Sequence, residues 1–562
     1  MASEEIPERP KADAPAEDAA AEPSKKAQKK AEKEAAKAAL KARKQAERNE
    51  AEAKKIAEEA ATDVSKDSYG DLPMVGSKPH KPSGHKRIPL LEVSQHVDKE
   101  AVVFRCVVET ARSQSAKLAF LNLRQGLESI QAVVAASDTL SKQMVKFAAS
   151  VPPQSMVLVH GLVKKPFEPI NSATIKDFEI HIQKLYTISR AEIPLPMQVE
   201  DAERALPGEG DVPGQDEEPK AEDGRPLVTL NTRLNNRVID LRAKINHAIF
   251  RIKGGVVQLF QEYLSQQGFT LIHTPKLLGA ATEGGSNVFE VKYFDKSGFL
   301  AQSPQLYKQM LVAARFERVM EIGPVFRAEN SNTARHLTEF TGLDLEMAFE
   351  EDYHEVMDVL EGLMLFIFKG LRERYAKETE LVRNTYNVEE FRLPEAGKVP
   401  RIPFVEGIKM LREATGEELS EYEDLSTPME KLLGKLVLEK YSTDFYVLDQ
   451  FPLSVRPFYT MPSPHNPKLS NSYDFFMRGQ EICSGAQRIH TADFLTQRMR
   501  AMDPPVDPES PGMRDYVAAF RYGCPPHGGG GFGLERIVSF WLGLPNIRLS
   551  SLFPRDPGRI MP

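Results

Sequence analysis

With 562 residues, 41% of them hydrophobic, and a formal net charge of −7, the chain is long enough for about two or three domains, each with its own core. No run reaches about 18 apolar residues, so no membrane span is expected; residues 1–10 lack the apolar stretch of a secretory signal, and Glu4, Glu5 and Glu8 argue against a mitochondrial presequence. Cys106, Cys483 and Cys524 are odd in number and far apart, which gives neither a disulfide framework nor zinc spacing and suits a reducing, cytoplasmic compartment, while the negative balance requires any nucleic acid to be met by local patches.

Residues 25–55 are mostly Ala, Lys and Glu without Gly or Pro, which predicts a helix. Lys26, Lys30, Lys33, Lys37, Lys41, Lys44 and Arg48 recur in steps of three and four and form a basic stripe along it. The stripe suits RNA phosphates; the rival reading is a solvated extension without a partner. A connection rich in Pro, Gly and Lys closes this first segment, 1–85.

Residues 86–190 then alternate apolar and polar positions in AVVFRCVV (101–108), KLAFLNLR (117–124), SMVLVHGLV (155–163) and FEIHIQKLYTI (178–188), predicting about five short strands and a small barrel. An oligonucleotide-binding barrel, or OB-fold, stacks bases on a strand-face aromatic and reads their edges with polar groups. Phe120 with Arg112, Gln131 and Glu179 fits those roles, although a strand phenylalanine is ordinarily a core residue. Residues 191–228 turn acidic and rich in Pro and Gly, as a linker or disordered insertion does.

The third segment, 229–562, opens with Leu241, Ile245, Ile249, Ile252, Val256, Leu259 and Tyr263 at helical spacing, stopped by Gly268 before an extended stretch at 270–273 and Pro275. GPVFRAEN (323–330) leads through a polar loop to Phe340, and the return strand alternates Leu343, Leu345 and Met347 with Gly342, Asp344 and Glu346. This predicts a hairpin with one apolar and one chemical face; a structural ion-pair network is the competing account of the charges. A second hairpin is predicted in SYDFFMRGQEICSGAQRIH, turning near Gly479 and Gln480, with an irregularity at Gly485. Asp474 and Glu481 flank that turn as hard oxygen ligands of the kind Mg²⁺ takes. The terminal GGGGFGLERIV (528–538) formally satisfies GxGxxG, yet no core strand precedes it and too little chain follows for a dinucleotide-binding unit. A glycine strand that lets adenine approach the backbone and leads into a helix carrying Glu535 and Arg536 accounts for it better. Arg327 and Arg536 are fork-shaped donors suited to a triphosphate, and Phe340 suits its base.

From about residue 86 onward these motifs resemble the class II aminoacyl-tRNA synthetases, subclass IIb, and within them the eukaryotic cytoplasmic aspartyl-tRNA synthetases. GFTLIHTPKLL (268–278) resembles motif 1, GPVFRAEN through Glu346 motif 2, and GGGFGLERIV motif 3; TEGGSNVFEV (282–291), AQSPQLYKQ (301–309), ICSGAQRIH and LFPRDP resemble the aspartate-type signatures. The resemblance implies an α+β fold: a six-stranded antiparallel catalytic sheet with flanking helices, preceded by an OB-fold anticodon-binding barrel and a Lys-rich, helical or disordered N-terminal extension. It implies a homodimer with Pro275 at its interface, and the substrates ATP, L-aspartate and tRNA(Asp) with Mg²⁺. ATP contacts are expected from Arg327, Ala328, Glu329, Arg335, His336, Leu337, Phe340, Glu481, Gly533, Leu534, Glu535 and Arg536, with Arg327, Glu329 and Arg536 as the catalytic set and Asp474 with Glu481 on the metal. For aspartate the resemblance implies Glu283 and Gln305 on the amino group and Lys308 and Arg488 on the side-chain carboxylate, joined by Arg327, Asp344 and Ser484. Three alternatives remain: an asparaginyl or lysyl relative, an enzyme that also charges tRNA(Asn), and a catalytically silent RNA-binding paralogue.

Overall fold

A computed structural model describes residues 43–44, 48–49, 63–74, 86–206, 227–280, 287–395 and 398–562. Apart from Lys44 and Arg48, both helical and exposed, the predicted basic stripe lies outside the described residues, as does Glu283. The chain divides into two units, Met1–Ile193 and Pro194–Pro562.

In the first unit, strands β2 (Val102–Ser115), β3 (Leu118–Gln125), β5 (Met156–Lys164) and β6 (Glu179–Ser189) fall on the four predicted alternating runs, while β1 (Tyr69–Asp71) and β4 (Glu128–Ala135) lie outside them. The order β6-β4-β3-β2-β5, with β5 returning to pair with β6, closes a five-stranded barrel, and β1 adds to β6 in parallel. Closure leaves no free edge along the ring. Along β5 every second residue is buried, so Val157, Val159 and Val163 fill the interior. Helix α1 (Lys142–Ser150) starts where the Ser141 hydroxyl accepts from the Met144 N–H at 3.2 Å, a cap worth about 1 kcal/mol. It sends Met144, Val145 and Ala148 into the same core. Just ahead of the barrel strands, Asp63 and Ser65 are buried: Ser65 bonds Ser141 at 2.7 Å and Tyr69 donates to Asp63 at 2.5 Å.

The second unit is built on an eight-stranded sheet. Helix α2 (Lys244–Gln266) begins three residues after Leu241, which lies in the preceding turn, and Gly268 at φ +80° ends the connection to β7 (Thr270–Ile272). Strands β8 (Leu277–Leu278), β9 (Glu290–Tyr293) and β10 (Lys296–Leu300) form a small separate sheet before α3 (Gln305–Ala313). The main sheet then gathers β11 (Arg318–Phe326), β12 (Glu339–Ala348), β13 (Arg401–Pro403), β14 (Phe445–Asp449), β15 (Ser472–Met477), β16 (Gln480–Gln487) and β17 (His527–Gly533) in the order β13-β14-β15-β16-β17-β12-β11-β7. Its inner six strands pair antiparallel, as the resemblance implied; the short rims β13 and β7 pair in parallel and extend it to eight.

One face of this sheet is apolar. Leu343, Leu345, Met347, Phe475, Cys483 and Phe532 pack there against α2, α4 (His354–Arg374) and the helix Leu534–Leu542, each fully buried large side chain contributing about 1.5–3 kcal/mol. Met197, Val199, Ala202 and Leu206, within the stretch expected as a linker, are buried in this same core, because four apolar residues interrupt its acidic run. The opposite face carries the charged residues. It is not open to solvent: α3 lies across part of it and buries Asp344 and Glu346.

Candidate active site

Register assembles the site. Asp474 lies opposite Ser484, Ser484 opposite Gly531, and Gly531 opposite Asp344, so four strands place these residues in one row on the charged face. Glu346 sits in the adjoining row opposite Gly529. A Cβ at Gly529 would stand 2.4 Å from Glu346 Oε2, and one at Gly531 2.8 Å from Asp344 Oδ1. The glycines at 529 and 531 therefore make room for buried carboxylates of the neighbouring strand; at Gly533, beside Arg536, a Cβ would meet only ordinary contacts. Gly531 and Gly533 also line the cavity, so the glycine strand serves neighbouring carboxylates in addition to the role expected of it toward adenine.

The second hairpin turns at Arg478–Gly479, one residue earlier than expected, both with positive φ (50° and 70°) as its two-residue turn requires. Its irregularity lies at Ile482, where Phe475 pairs with Cys483 but Phe476 with Glu481, and not at Gly485. The extra residue shifts the side-chain phase between Glu481 and Ser484, so both line the cavity together with Arg488. Gly485 instead admits Tyr473, whose ring would lie 2.3 Å from a Cβ there and whose hydroxyl donates to the Gly529 carbonyl.

Around a cavity of about 250 Å³ the structure brings together Gln305, Arg327, Glu329, Arg335, His336, Leu337, Phe340, Asp344, Glu481, Ser484, Arg488, Gly533, Glu535 and Arg536. Arg327 lies over the Phe340 ring, 5.6 Å from its centroid, and 4.0 Å from Glu329. The first helical turn of α6 (Leu534–Leu542) carries Arg536, which donates to the Glu481 carbonyl at 3.0 Å. Burial, with Arg335 and Arg327 close by, lowers the Arg536 pKa, a sign of cations crowded without full compensation. Arg335 donates to Glu430 Oε2 (2.8 Å) and Thr427 Oγ1 (2.5 Å) at the start of α5 (Thr427–Tyr441, lying between β13 and β14), so the cation expected on a phosphate is held by this helix. The chain end clamps the motif 2 loop: Arg548 reaches Thr333 O and Asn332, and Thr338 N–H donates to Arg555 O.

Four expected contacts are placed differently. Leu534 is a core residue, and Ala328 uses its N–H on the Asn287 carbonyl. The Glu535 carboxylate, although at the cavity wall, is taken by Lys253 (2.7 Å) and the Thr341 N–H (3.0 Å), which makes it a brace between α2, β12 and α6. Lys308 is 1% exposed and does not line the cavity; it lies under Asp344.

Around the residues expected on aspartate, the cations are paired. Lys308 Nζ donates to Asp344 Oδ1 at 2.9 Å and lies 3.6 Å from Glu346. Arg488 Nε donates to Glu346 Oε1 at 2.9 Å. Two cations thus face two carboxylates, and the local charge is balanced. Burial alone would raise the Glu346 carboxyl, but Arg488 and Lys308 more than offset it and hold it below the usual glutamate range. Glu346 is the partner that sequence reasoning placed on the right face without assigning a role.

Arg456 was missed altogether, because its SVRPF context carries no periodic signal. It lines the cavity and donates to Asp474 Oδ2 (2.9 Å), Ser484 Oγ (2.9 Å) and Ser472 Oγ (3.0 Å). Asp474 Oδ1 is buried with no hydrogen-bond partner, and burial, opposed by Arg456 and reinforced by Glu481, pushes its carboxyl up to about 7. Asp474 does not itself line the cavity, but a buried carboxylate oxygen without a donor, close to the carboxylate of Glu481 that does, fits a hard cation.

On the barrel, register gathers the four expected residues on one face: Arg112 opposite Phe120, Asn122 opposite Gln131, and Gln131 opposite Glu179. The Arg112 guanidinium sits 5.3 Å from the Phe120 ring centroid, and Gln131 donates to Glu179 at 3.1 Å. His181, bonded to Glu179 at 2.8 Å, joins them unpredicted. Pro275 is exposed, between β7 and β8.

A family model describing tRNA synthetases class II (D, K and N) matches residues 229–557. The cytoplasmic aspartate–tRNA ligase of Homo sapiens is 51% identical over 504 residues, 90% of this chain and 96% of the relative. The solved aspartyl tRNA synthetase from Entamoeba histolytica superposes with a TM-score of 0.77 at 42% identity, covering 88% of this chain and 96% of that one. Asparaginyl-tRNA synthetase from Pyrococcus horikoshii, solved with asparaginyl-adenylate, gives 0.70 at 29% identity, covering 85% and 100%.

Proposed function

The chain belongs to the class II tRNA synthetases of the D, K and N type, and from that premise we propose that it activates L-aspartate with ATP and transfers the aspartyl group to the 3′ end of tRNA(Asp). The observation that carries this reading is the convergence of Arg327, Arg335, Arg536 and Phe340 on one cavity whose far wall holds Gln305, Asp344 and Arg488.

The aspartate α-carboxylate attacks the α-phosphorus, pyrophosphate leaves, and a terminal ribose hydroxyl of tRNA then takes the aspartyl group from the adenylate. No protein nucleophile is needed. Arg327 serves the α-phosphate and the attacking carboxylate, Arg536 and a released Arg335 serve the outer phosphates, and Phe340 stacks on adenine. Asp474 and Glu481 would hold Mg²⁺, which neutralises phosphate charge when bound. Glu283 and Gln305 take the substrate ammonium. Arg488, oriented by Glu346, donates to the side-chain carboxylate, and Lys308, buried beneath Asp344, supports that wall from behind. Because the four charges balance, asparagine is rejected by a clash of donors and not by net field: its NH₂ would face the Arg488 guanidinium N–H groups. A mismatch of this kind discriminates by about 10⁴-fold.

Homodimerisation through the segment around exposed Pro275 and a cytoplasmic location accompany this reading, the latter supported by the human relative's name; among the described residues no helix is long and apolar enough to cross a membrane. ATP–pyrophosphate exchange tests the proposal. Exchange should require aspartate and Mg²⁺, fail with asparagine or lysine, and vanish in Arg536→Ala; equal exchange with asparagine would overturn the specificity, and none with any of the three amino acids would favour a silent paralogue.

A further inference from the structure

Behind the Arg488 wall lies a chain of hydrogen bonds that the reaction as described does not use. Arg488 Nη2 donates to Gln305 Oε1 at 3.1 Å, and Gln305 Nε2 donates to Gln309 Oε1 at 3.1 Å and, less closely, to Glu346 Oε2 at 3.3 Å. Gln309 Nε2 then meets His527 Nε2 at 3.2 Å, and His527 Nδ1 meets the Pro525 carbonyl at 2.9 Å. The Tyr516 hydroxyl adds a bond to Gln309 Oε1 at 3.1 Å. Every side chain in the chain is buried, Gln309 and His527 completely.

Both ends admit only one direction. A guanidinium cannot accept, so Gln305 must turn its carbonyl to Arg488 and its NH₂ to Gln309. That places the Gln309 carbonyl toward Gln305 and its NH₂ toward His527, whose Nε2 must then be a bare acceptor. From the other end, a carbonyl cannot donate, so the His527 proton must sit on Nδ1 against Pro525. The two deductions agree. Burial is the main cause that pushes the His527 pKa down to about 4, against the opposing pull of Glu346, so the neutral ring is the ordinary state.

We propose that Gln309 and His527 are positioning residues that lock the Gln305 amide with its carbonyl on the Arg488 side, keeping an acceptor in place for the substrate ammonium group. This rests on the role given to Gln305 in the proposed function. With the amide reversed, its NH₂ would face the donors of Arg488 and the ammonium, and its carbonyl would face the Glu346 carboxylate and the Gln309 carbonyl.

Steady-state ATP–pyrophosphate exchange on the full chain tests it with two variants. Gln309→Leu, of similar volume but without the amide, should raise the aspartate KM about tenfold or more while the ATP KM stays within about twofold. Gln309→Glu keeps an acceptor for Gln305 and Tyr516 but now needs a proton on His527 Nε2. Glu346 favours that proton, Arg488 and His490 oppose it, and Cys524 stands 3.6 Å from Nδ1. The aspartate KM of Gln309→Glu should therefore rise as pH increases between about 6 and 8, where the unmodified chain shows no His527-linked change. An aspartate KM within about twofold in folded Gln309→Leu, or a Gln309→Glu profile parallel to the unmodified one, overturns the proposal; if Gln309→Leu does not fold, the second profile decides alone. Loss of the aspartate requirement in the unmodified chain would instead refute the proposed function.

Discussion

Glu346 decides how the substrate wall works. It is wholly buried, yet it stays ionised because Arg488 and Lys308 flank it, and it in turn fixes the direction in which Arg488 points. Glu346→Gln leaves two buried cations with one carboxylate and should cost about 3–5 kcal/mol in denaturant unfolding, as breaking buried pairs does. The pH sign follows from the lowered carboxyl. Its folded pKa lies below the ordinary 4.5, so the stabilisation is complete above that value and is lost as pH falls through the folded one. Acid unfolding curves should thus converge for Glu346→Gln and the unmodified chain at low pH and diverge toward neutrality. Curves separated equally at every pH would refute this account.

Helix α5 and the second hairpin act as a pair of elements. Gly434 on the helix and Gly479 in the hairpin turn approach so closely that a Cβ on Gly434 would lie 2.3 Å from Gly479 Cα. This contact brings the helix start, with Thr427 and Glu430, within reach of Arg335. Burial raises the Glu430 pKa in spite of Arg335, so the pair is held at some cost and is suited to exchange for a phosphate. Glu430→Gln should lower the ATP KM by up to about fivefold, the worth of a partly exposed ion pair; a raised KM would mean that Glu430 presents Arg335 to ATP and does not withhold it. In the barrel, β2, β3, β4 and β6 supply one residue each to the expected base-reading face. Phe120→Ala should raise the tRNA KM by the loss of about 1–3 kcal/mol of stacking with adenylate formation unchanged. Because Arg112 already lies over the ring, a base must stack on the other face or displace it.

At the scale of the whole molecule, the N-terminal extension is to be tested without damage to the barrel. Asp63 and Ser65 belong to the barrel's buried polar network, so a truncation should end near residue 60. Its removal should weaken tRNA binding and flatten the dependence of affinity on salt, as fewer phosphates are neutralised; an unchanged slope would return the segment to a solvated extension. The strand alternation, the two hairpins, the long helix and the motif residues were legible in the sequence because local periodicity and residue chemistry are written there directly. The bulge at Ile482, the close approach of Gly529 to Glu346 and the braces formed by Arg456, Glu430 and Lys253 were not, since each depends on which strands become neighbours. Sequence alone determined which groups this chain carries to the proposed ATP and aspartate site. Only the tertiary structure decided that the cations on the aspartate side are balanced by carboxylates, because charge compensation is a property of distance and burial, and those are fixed by register across β12, β16 and β17.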